Sequence, residues 1–141
     1  MNGRCLCGAV RITVETADAA SLSACHCDPC RRWAGAVLWG FDAPGDAVTV
    51  EGPVGEYRSS SFATRAWCRD CGTQLWFRDD GDAPYELNPG LFDETRDWSL
   101  RRVVYADRAA AHARLEGGHA RVTKADYEAR SQHVDDAEGG V

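Results

Sequence analysis

Apolar and polar residues alternate from Ala9 to Glu15 (Ala-Val-Arg-Ile-Thr-Val-Glu), which predicts a strand with one buried face. Four further short runs, Ala36–Phe41, Ala47–Val50, Thr73–Phe77 and Arg102–Tyr105, are rich in β-branched or aromatic residues and separated by Gly, Pro and Asp. Together they predict a mainly β chain built of small, twisted antiparallel sheets. The segment Asp28-Pro29-Cys30-Arg31-Arg32-Trp33 fits a single helical turn, with Asp28 as its cap and Pro29 at the first helical position. Ala109 to Leu115 carries helical propensity with few apolar anchors, and Gly117-Gly118 would stop it. Trp33, Trp39, Trp67 and Trp76 are expected to fill a small core. No internal repeat is visible.

The chain has 141 residues, 44% of them apolar, which suits one β domain over 1–134 with a flexible tail over 135–141. It carries 16 basic against 22 acidic residues, a formal charge of −6, and no basic stripe. A nucleic-acid partner is therefore not expected, because phosphate binding depends on clustered Lys and Arg. No apolar run reaches membrane-span length, and Met1-Asn2-Gly3-Arg4-Cys5 lacks a signal-peptide core, so no membrane partner and a cytoplasmic location are expected.

The seven cysteines change the picture most. In a reducing compartment they are poor material for disulfides, and they fall in three tight groups: Cys5 and Cys7; Cys25, Cys27 and Cys30; Cys68 and Cys71. Thiolates one or two residues apart can face a single ion about 2.3 Å away, so metal binding is the expected purpose, with zinc as the expected ion. Iron and copper also accept soft thiolates and stay open on sequence alone. A structural zinc takes four protein ligands, whereas a catalytic zinc keeps three and an open position. Cys5, Cys7, Cys68 and Cys71 would close the first kind of site and constrain a loop of about sixty residues. Cys25, Cys27 and Cys30 would form the second kind, giving two zincs per chain. The competing partition, Cys5 and Cys7 with two of the central three, leaves Cys68 and Cys71 short of ligands.

His26 stands between two cysteines that must face the ion, so in extended backbone its ring points the other way. Asp28 and Asp70 lie inside the knuckles, where Asx turns are the ordinary role. Ser59, Ser60 and Ser61 have no accompanying His and acid motif, so a serine hydrolase is not expected. His112, His119 and His133 are expected at the surface.

The ordered motifs Gly3-Arg4-Cys5-Leu6-Cys7-Gly8-Ala9-Val10, Cys25-His26-Cys27-Asp28-Pro29-Cys30-Arg31-Arg32, Gly35-Ala36 and Cys68-Arg69-Asp70-Cys71-Gly72-Thr73 resemble the glutathione-dependent formaldehyde-activating enzyme family, which includes centromere protein V-like proteins. The resemblance spans roughly residues 3 to 105. It implies a β-tent-like fold, two zincs and the same four-plus-three division. It also implies a carbon–sulfur lyase-type reaction that joins glutathione to formaldehyde as S-hydroxymethylglutathione, at a site where Cys25, Cys27 and Cys30 carry the catalytic zinc. Arg31, Arg32 and Arg65 are then candidates for binding the carboxylates of the thiol substrate, because a planar guanidinium pairs with them bidentately. Relatives often place a histidine before a late strand and a tryptophan after it, where this chain has Arg101-Arg102 and then Ala109 to His112. The alternatives to a lyase are a zinc-stabilised protein-binding module and a thiol-redox or zinc-buffering protein. Exposed edge strands would allow a homodimer.

Overall fold

The computed structural model describes residues 1–17 and 20–135; nearly all of the tail expected over 135–141 lies outside them. Among the described residues the elements run β1 (Asn2–Arg4), β2 (Arg11–Val14), β3 (Ser21–Cys25), α1 (Asp28–Ala34), β4 (Leu38–Ala43), β5 (Val48–Glu51), β6 (Val54–Arg58), β7 (Ala63–Cys68), β8 (Gln74–Asp79), β9 (Tyr85–Leu87), β10 (Ser99–Val104), β11 (Ala120–Val122) and α2 (Lys124–Glu128), with 3₁₀ turns between some of them. The fold is mainly β, as the patterning indicates. Among the described residues no helix is long and apolar enough to cross a membrane. The chain divides into two compact units, one of Met1–Ser21 with Gly40–Ser99, the other of Leu22–Trp39 with the chain from Leu100.

The first unit holds a three-stranded antiparallel sheet, β1-β2-β5, in which Ile12 stands opposite Gly3 on one side and Val50 on the other. Val10, Ile12 and Val14 are buried while Arg11, Thr13 and Glu15 face solvent, so the period-two pattern of this segment directly sets its buried face. Gly3 is needed because a Cβ there would stand 2.6 Å from the ring of Phe92. A second antiparallel run orders β4, β9, β8, β7 and β6. Its core packs Phe41 edge-on against Phe92 and Trp98, with centroids 5.3 and 5.1 Å apart. Trp76 meets Tyr85 in the same way at 5.4 Å. A bulge at Ala66/Trp67 shifts the β7–β8 register just before Cys68.

In the second unit β10 lies between β3 and β11. The β10–β11 pairing is parallel, with Val103 opposite Arg121, an exception to the antiparallel expectation. The helical propensity of Ala109 to Leu115 does not become an α-helix. Only a 3₁₀ turn at Ala111–Ala113 forms there, because the segment has no apolar stripe to bury, and the short helix forms instead at Lys124–Glu128, where Thr123 accepts from the Asp126 amide. The cap of α1 also differs from expectation. Cys27 occupies the N-cap without a side-chain bond and Asp28 is already helical, its carboxylate turned to Arg31 at 3.3 Å and Arg108 at 4.0 Å. Among the four tryptophans assigned to the core, Trp76 is buried, while Trp33, Trp39 and Trp67 are half-buried. His112 is exposed as expected; His119 and His133 are half-buried.

Candidate functional site

Each unit contains one group of convergent thiols. In the first, the sulfurs of Cys5, Cys7, Cys68 and Cys71 all lie within 4.8 Å of one another. Two similar turns present them. The Gly8 amide donates to the Cys5 carbonyl at 3.0 Å and the Gly72 amide to the Cys68 carbonyl at 2.8 Å. Both glycines sit at positive φ, 79° and 74°, which a side chain would strain. The turns are joined where the Leu6 amide donates to the Thr73 hydroxyl at 3.1 Å. Cys5 and Cys68 are buried, and Cys7 is exposed.

The measured sulfur separations are 3.5 Å for Cys5 and Cys7 and 3.8 Å for Cys7 and Cys68. Four thiolates arranged tetrahedrally around an ion at 2.3 Å would stand about 3.8 Å apart, so the cradle has the dimensions of a four-sulfur site. Its electrostatics agree. Hydrogen bonds from the Thr73 hydroxyl and amide pull the Cys71 thiol down to about 5. The Ala9 amide favours a Cys7 thiolate, but Cys71 and Cys5 outweigh it and push Cys7 up to about 12. Bare, these thiols resist ionising together, and a divalent cation relieves that repulsion.

The second unit brings together Cys25, Cys27 and Cys30, again with sulfurs within 4.8 Å. Cys25 ends β3, Cys27 is the N-cap of α1, and Cys30 lies buried in its first turn. The Arg31 amide donates to the Cys27 carbonyl at 2.9 Å, and the helix closes at Gly35, φ 91°, whose amide donates to Arg31. The His26 amide bonds the Val104 carbonyl at 3.1 Å and pins the segment to β10. Cys27, Cys30 and burial together hold the Cys25 thiol well above its ordinary value, so this group too favours a cation over three bare thiolates. The donor chemistry of both groups suits a soft or borderline metal ion. His26 is not part of the convergent thiol group; its ring is buried and lines a cavity with Val103.

The candidate arginines divide. Arg31 and Arg32 are exposed on α1, directly after the thiol group. Arg65 is only 6% exposed, in the first unit, where its guanidinium lies 4.8 Å over the Phe77 ring and donates to the Ser59 hydroxyl. Sequence reasoning missed Tyr105. It is buried at the end of β10 in left-handed backbone, φ 53°, and its hydroxyl donates to Glu128 at 3.0 Å, which also holds Lys124 at 2.8 Å. Burial first, then Glu128 and the nearby thiols of Cys27 and Cys25, push the phenol far above its ordinary value and keep it protonated. A tyrosine closing a predicted strand carries no signal of that role.

The class defined here is a mainly β chain with one four-thiol and one three-thiol cradle, each of which could hold a metal ion. Residues 1–108 match the pattern of the glutathione-dependent formaldehyde-activating enzyme, and the chain belongs to that family. Among similar proteins, an uncharacterised lyase of Schizosaccharomyces pombe is 39% identical over 92 residues, covering 64% of this chain and 66% of the relative. A Halomonas elongata protein, provisionally named a glutathione-dependent formaldehyde-activating enzyme, is 31% identical over 88 residues, covering 56% of each chain. The matched regions thus span less than two thirds of these curated relatives. A Rhodobacter sphaeroides protein of known crystal structure has the same fold, with a TM-score of 0.59 at 23% identity, covering 71% of this chain and 99% of that one.

Proposed function

We propose that this protein is a zinc-dependent carbon–sulfur lyase that reversibly joins a small thiol and a small carbonyl compound, with glutathione and formaldehyde as the first pair to test. Family membership supports the reaction class. The observation that carries the reading is the inequality of the two thiol groups. Four sulfurs fill a tetrahedral set, whereas three leave one position for a substrate atom.

Cys5, Cys7, Cys68 and Cys71 would hold one zinc as a structural tie. Cys25, Cys27 and Cys30 would hold the other. Bound there, zinc would act as a Lewis acid and keep a thiol ionised at neutral pH. The chain's own contribution is placement. The Val104 carbonyl and the closed turn at Gly35 fix the three thiols, and Tyr105, locked to Glu128, keeps its proton beside them. In the condensation direction the thiol sulfur forms a bond to the carbonyl carbon, the C=O π bond breaks, and the thiol's proton ends on the carbonyl oxygen. The reverse step returns thiol and aldehyde with no net oxidation. Arg31 and Arg32, exposed beside the thiol group, would meet the substrate's carboxylates.

The test is an assay of hemithioacetal formation from glutathione and formaldehyde, by NMR, with wild-type protein and the Cys27→Ser variant at matched zinc content in the four-thiol site. Acceleration by the wild type that is lost in the variant supports the reading. Equal, uncatalysed rates with both proteins overturn it.

A further inference from the structure

Tyr105 follows β10 and is, among the described residues, the one residue other than glycine at positive φ, 53°. A bulky side chain is strained in that conformation, so its surroundings must impose it. Three contacts tie this point of the chain to α2. The Tyr105 hydroxyl donates to one oxygen of Glu128 at 3.0 Å, its ring meets that of Tyr127 with centroids 5.3 Å apart, and the Asp107 carboxylate accepts the Lys124 amide at 2.7 Å. The Lys124 ammonium donates to the other Glu128 oxygen at 2.8 Å. α2 has only five residues and buries none of them, so neither length nor an apolar face holds it in place. Its contacts with Tyr105 and Asp107 do.

The strained residue adjoins the three-thiol group. The Val104 carbonyl and the Tyr105 nitrogen belong to one planar peptide unit, so whatever fixes Tyr105 also fixes the direction in which that carbonyl points. The carbonyl accepts the His26 amide at 3.1 Å, and that amide is the peptide link from Cys25. The bond therefore places Cys25 at the end of β3 and directs the chain toward Cys27 at the cap of α1. The family pattern covers residues 1–108, so Tyr105 lies within it, whereas Lys124, Tyr127 and Glu128 lie beyond it.

We propose that Tyr105, clamped by Glu128 and Tyr127, is a positioning residue that sets the spacing of the Cys25, Cys27 and Cys30 sulfurs for a metal ion. It acts through the Val104 carbonyl and the His26 amide. The inference rests on the reading of these three thiols as a metal site. Groups that orient metal ligands from outside are worth about 10- to 100-fold in metal affinity, and a clamp acting through the backbone falls at the lower end.

The full-length protein would be compared with Glu128→Ala, which removes the acceptor, Tyr105→Phe, which removes the donor, and Glu128→Gln, which keeps an acceptor. Cobalt(II) titration would follow thiolate-to-cobalt charge-transfer absorption, with Cys27→Ser identifying the bands of the four-thiol site. Amide exchange at His26, read by NMR in the zinc-loaded proteins, follows the bond to Val104 itself. Glu128→Ala and Tyr105→Phe should each weaken cobalt binding at the three-thiol site about tenfold and speed His26 exchange about tenfold, with the four-thiol site and exchange at Ile12 unchanged. Glu128→Gln should stay within about threefold of wild type. Weakening at both sites, or exchange that rises equally at Ile12, would mean a general loss of stability and overturn the proposal. Unchanged cobalt affinity or unchanged His26 exchange in the first two variants would overturn it, as would Glu128→Gln no better than Glu128→Ala. A wild type that takes cobalt only in the four-thiol site refutes the metal reading of Cys25, Cys27 and Cys30 and the proposal with it; two cobalts held equally by wild type and variants refute the proposal alone.

Discussion

Replacing Arg65 with methionine isolates what a buried cation does in the first unit. The substitution removes the hydrogen bond to Ser59 and the stacking over Phe77 at 4.8 Å. A charge-assisted hydrogen bond is worth about 1.5–3 kcal/mol and a partly desolvated cation–π contact about 0.5–2 kcal/mol. Methionine recovers part of the apolar packing. A net loss of about 3 kcal/mol follows, a large share of the 5–15 kcal/mol typical of a domain, and a fall in Tm of roughly 10 °C. The loss should depend on pH. Burial first, and then Asp80, raise the Asp79 carboxyl, while Arg65 works to lower it. Without Arg65 the folded-state value rises further, so the folded variant binds more protons than the unfolded chain above the ordinary carboxylate range. Its deficit is then greatest near neutral pH and shrinks as pH falls toward about 4. Asp79→Asn in the same chain should recover part of the stability at pH 7. Chemical denaturation across pH measures all of this. A loss under 1 kcal/mol with a raised KM for the thiol would refute the reasoning and make Arg65 a substrate contact.

Three other outcomes follow from the same geometry. Cys68→Ser removes a buried thiol from the four-thiol cradle, and if that cradle holds the proposed structural zinc, whose binding is worth about 10–16 kcal/mol of folding energy, the variant should be largely unfolded by circular dichroism at 25 °C. Gly52→Ala places a Cβ 2.2 Å from the Ala9 carbonyl at φ 112°, and should cost at least about 2 kcal/mol in urea denaturation. Tyr105→Phe frees Glu128 of one hydrogen bond; Lys124 first and Tyr105 second hold that carboxyl below its ordinary value, so NMR titration should find it moved upward in the variant.

What the sequence disclosed depended on how local the controlling physics was. The strand from Arg11 to Val14 was legible because alternation alone decides which face is buried. The thiol groups were legible because metal-ligand spacing is local within each knuckle, although joining Cys5 and Cys7 to Cys68 and Cys71 across 61 residues needed the count of ligands as well. The last third was poorly legible. β11 is three residues long and pairs in parallel with β10, a contact no local pattern encodes, and the alanine-rich stretch before it had propensity but no face to bury. Arg65 reads in sequence as a candidate for binding a substrate carboxylate, and only the β7–β8 register, which sets it opposite Phe77, shows why it is buried. His26 was read as turned away from the thiols; that it lines a cavity required residues from 103 to 121 to come together.

The central claim is that the two thiol groups differ in kind, one closed and one open. It is tested most directly by zinc stoichiometry and zinc K-edge X-ray absorption on the whole protein, before and after glutathione, with Cys27→Ser alongside. The account predicts two zincs per chain, one unchanged in a four-sulfur shell and one that gains a sulfur on adding glutathione, the latter missing from the variant. Two zincs that both ignore glutathione, or a single zinc that survives Cys27→Ser unchanged, would contradict it.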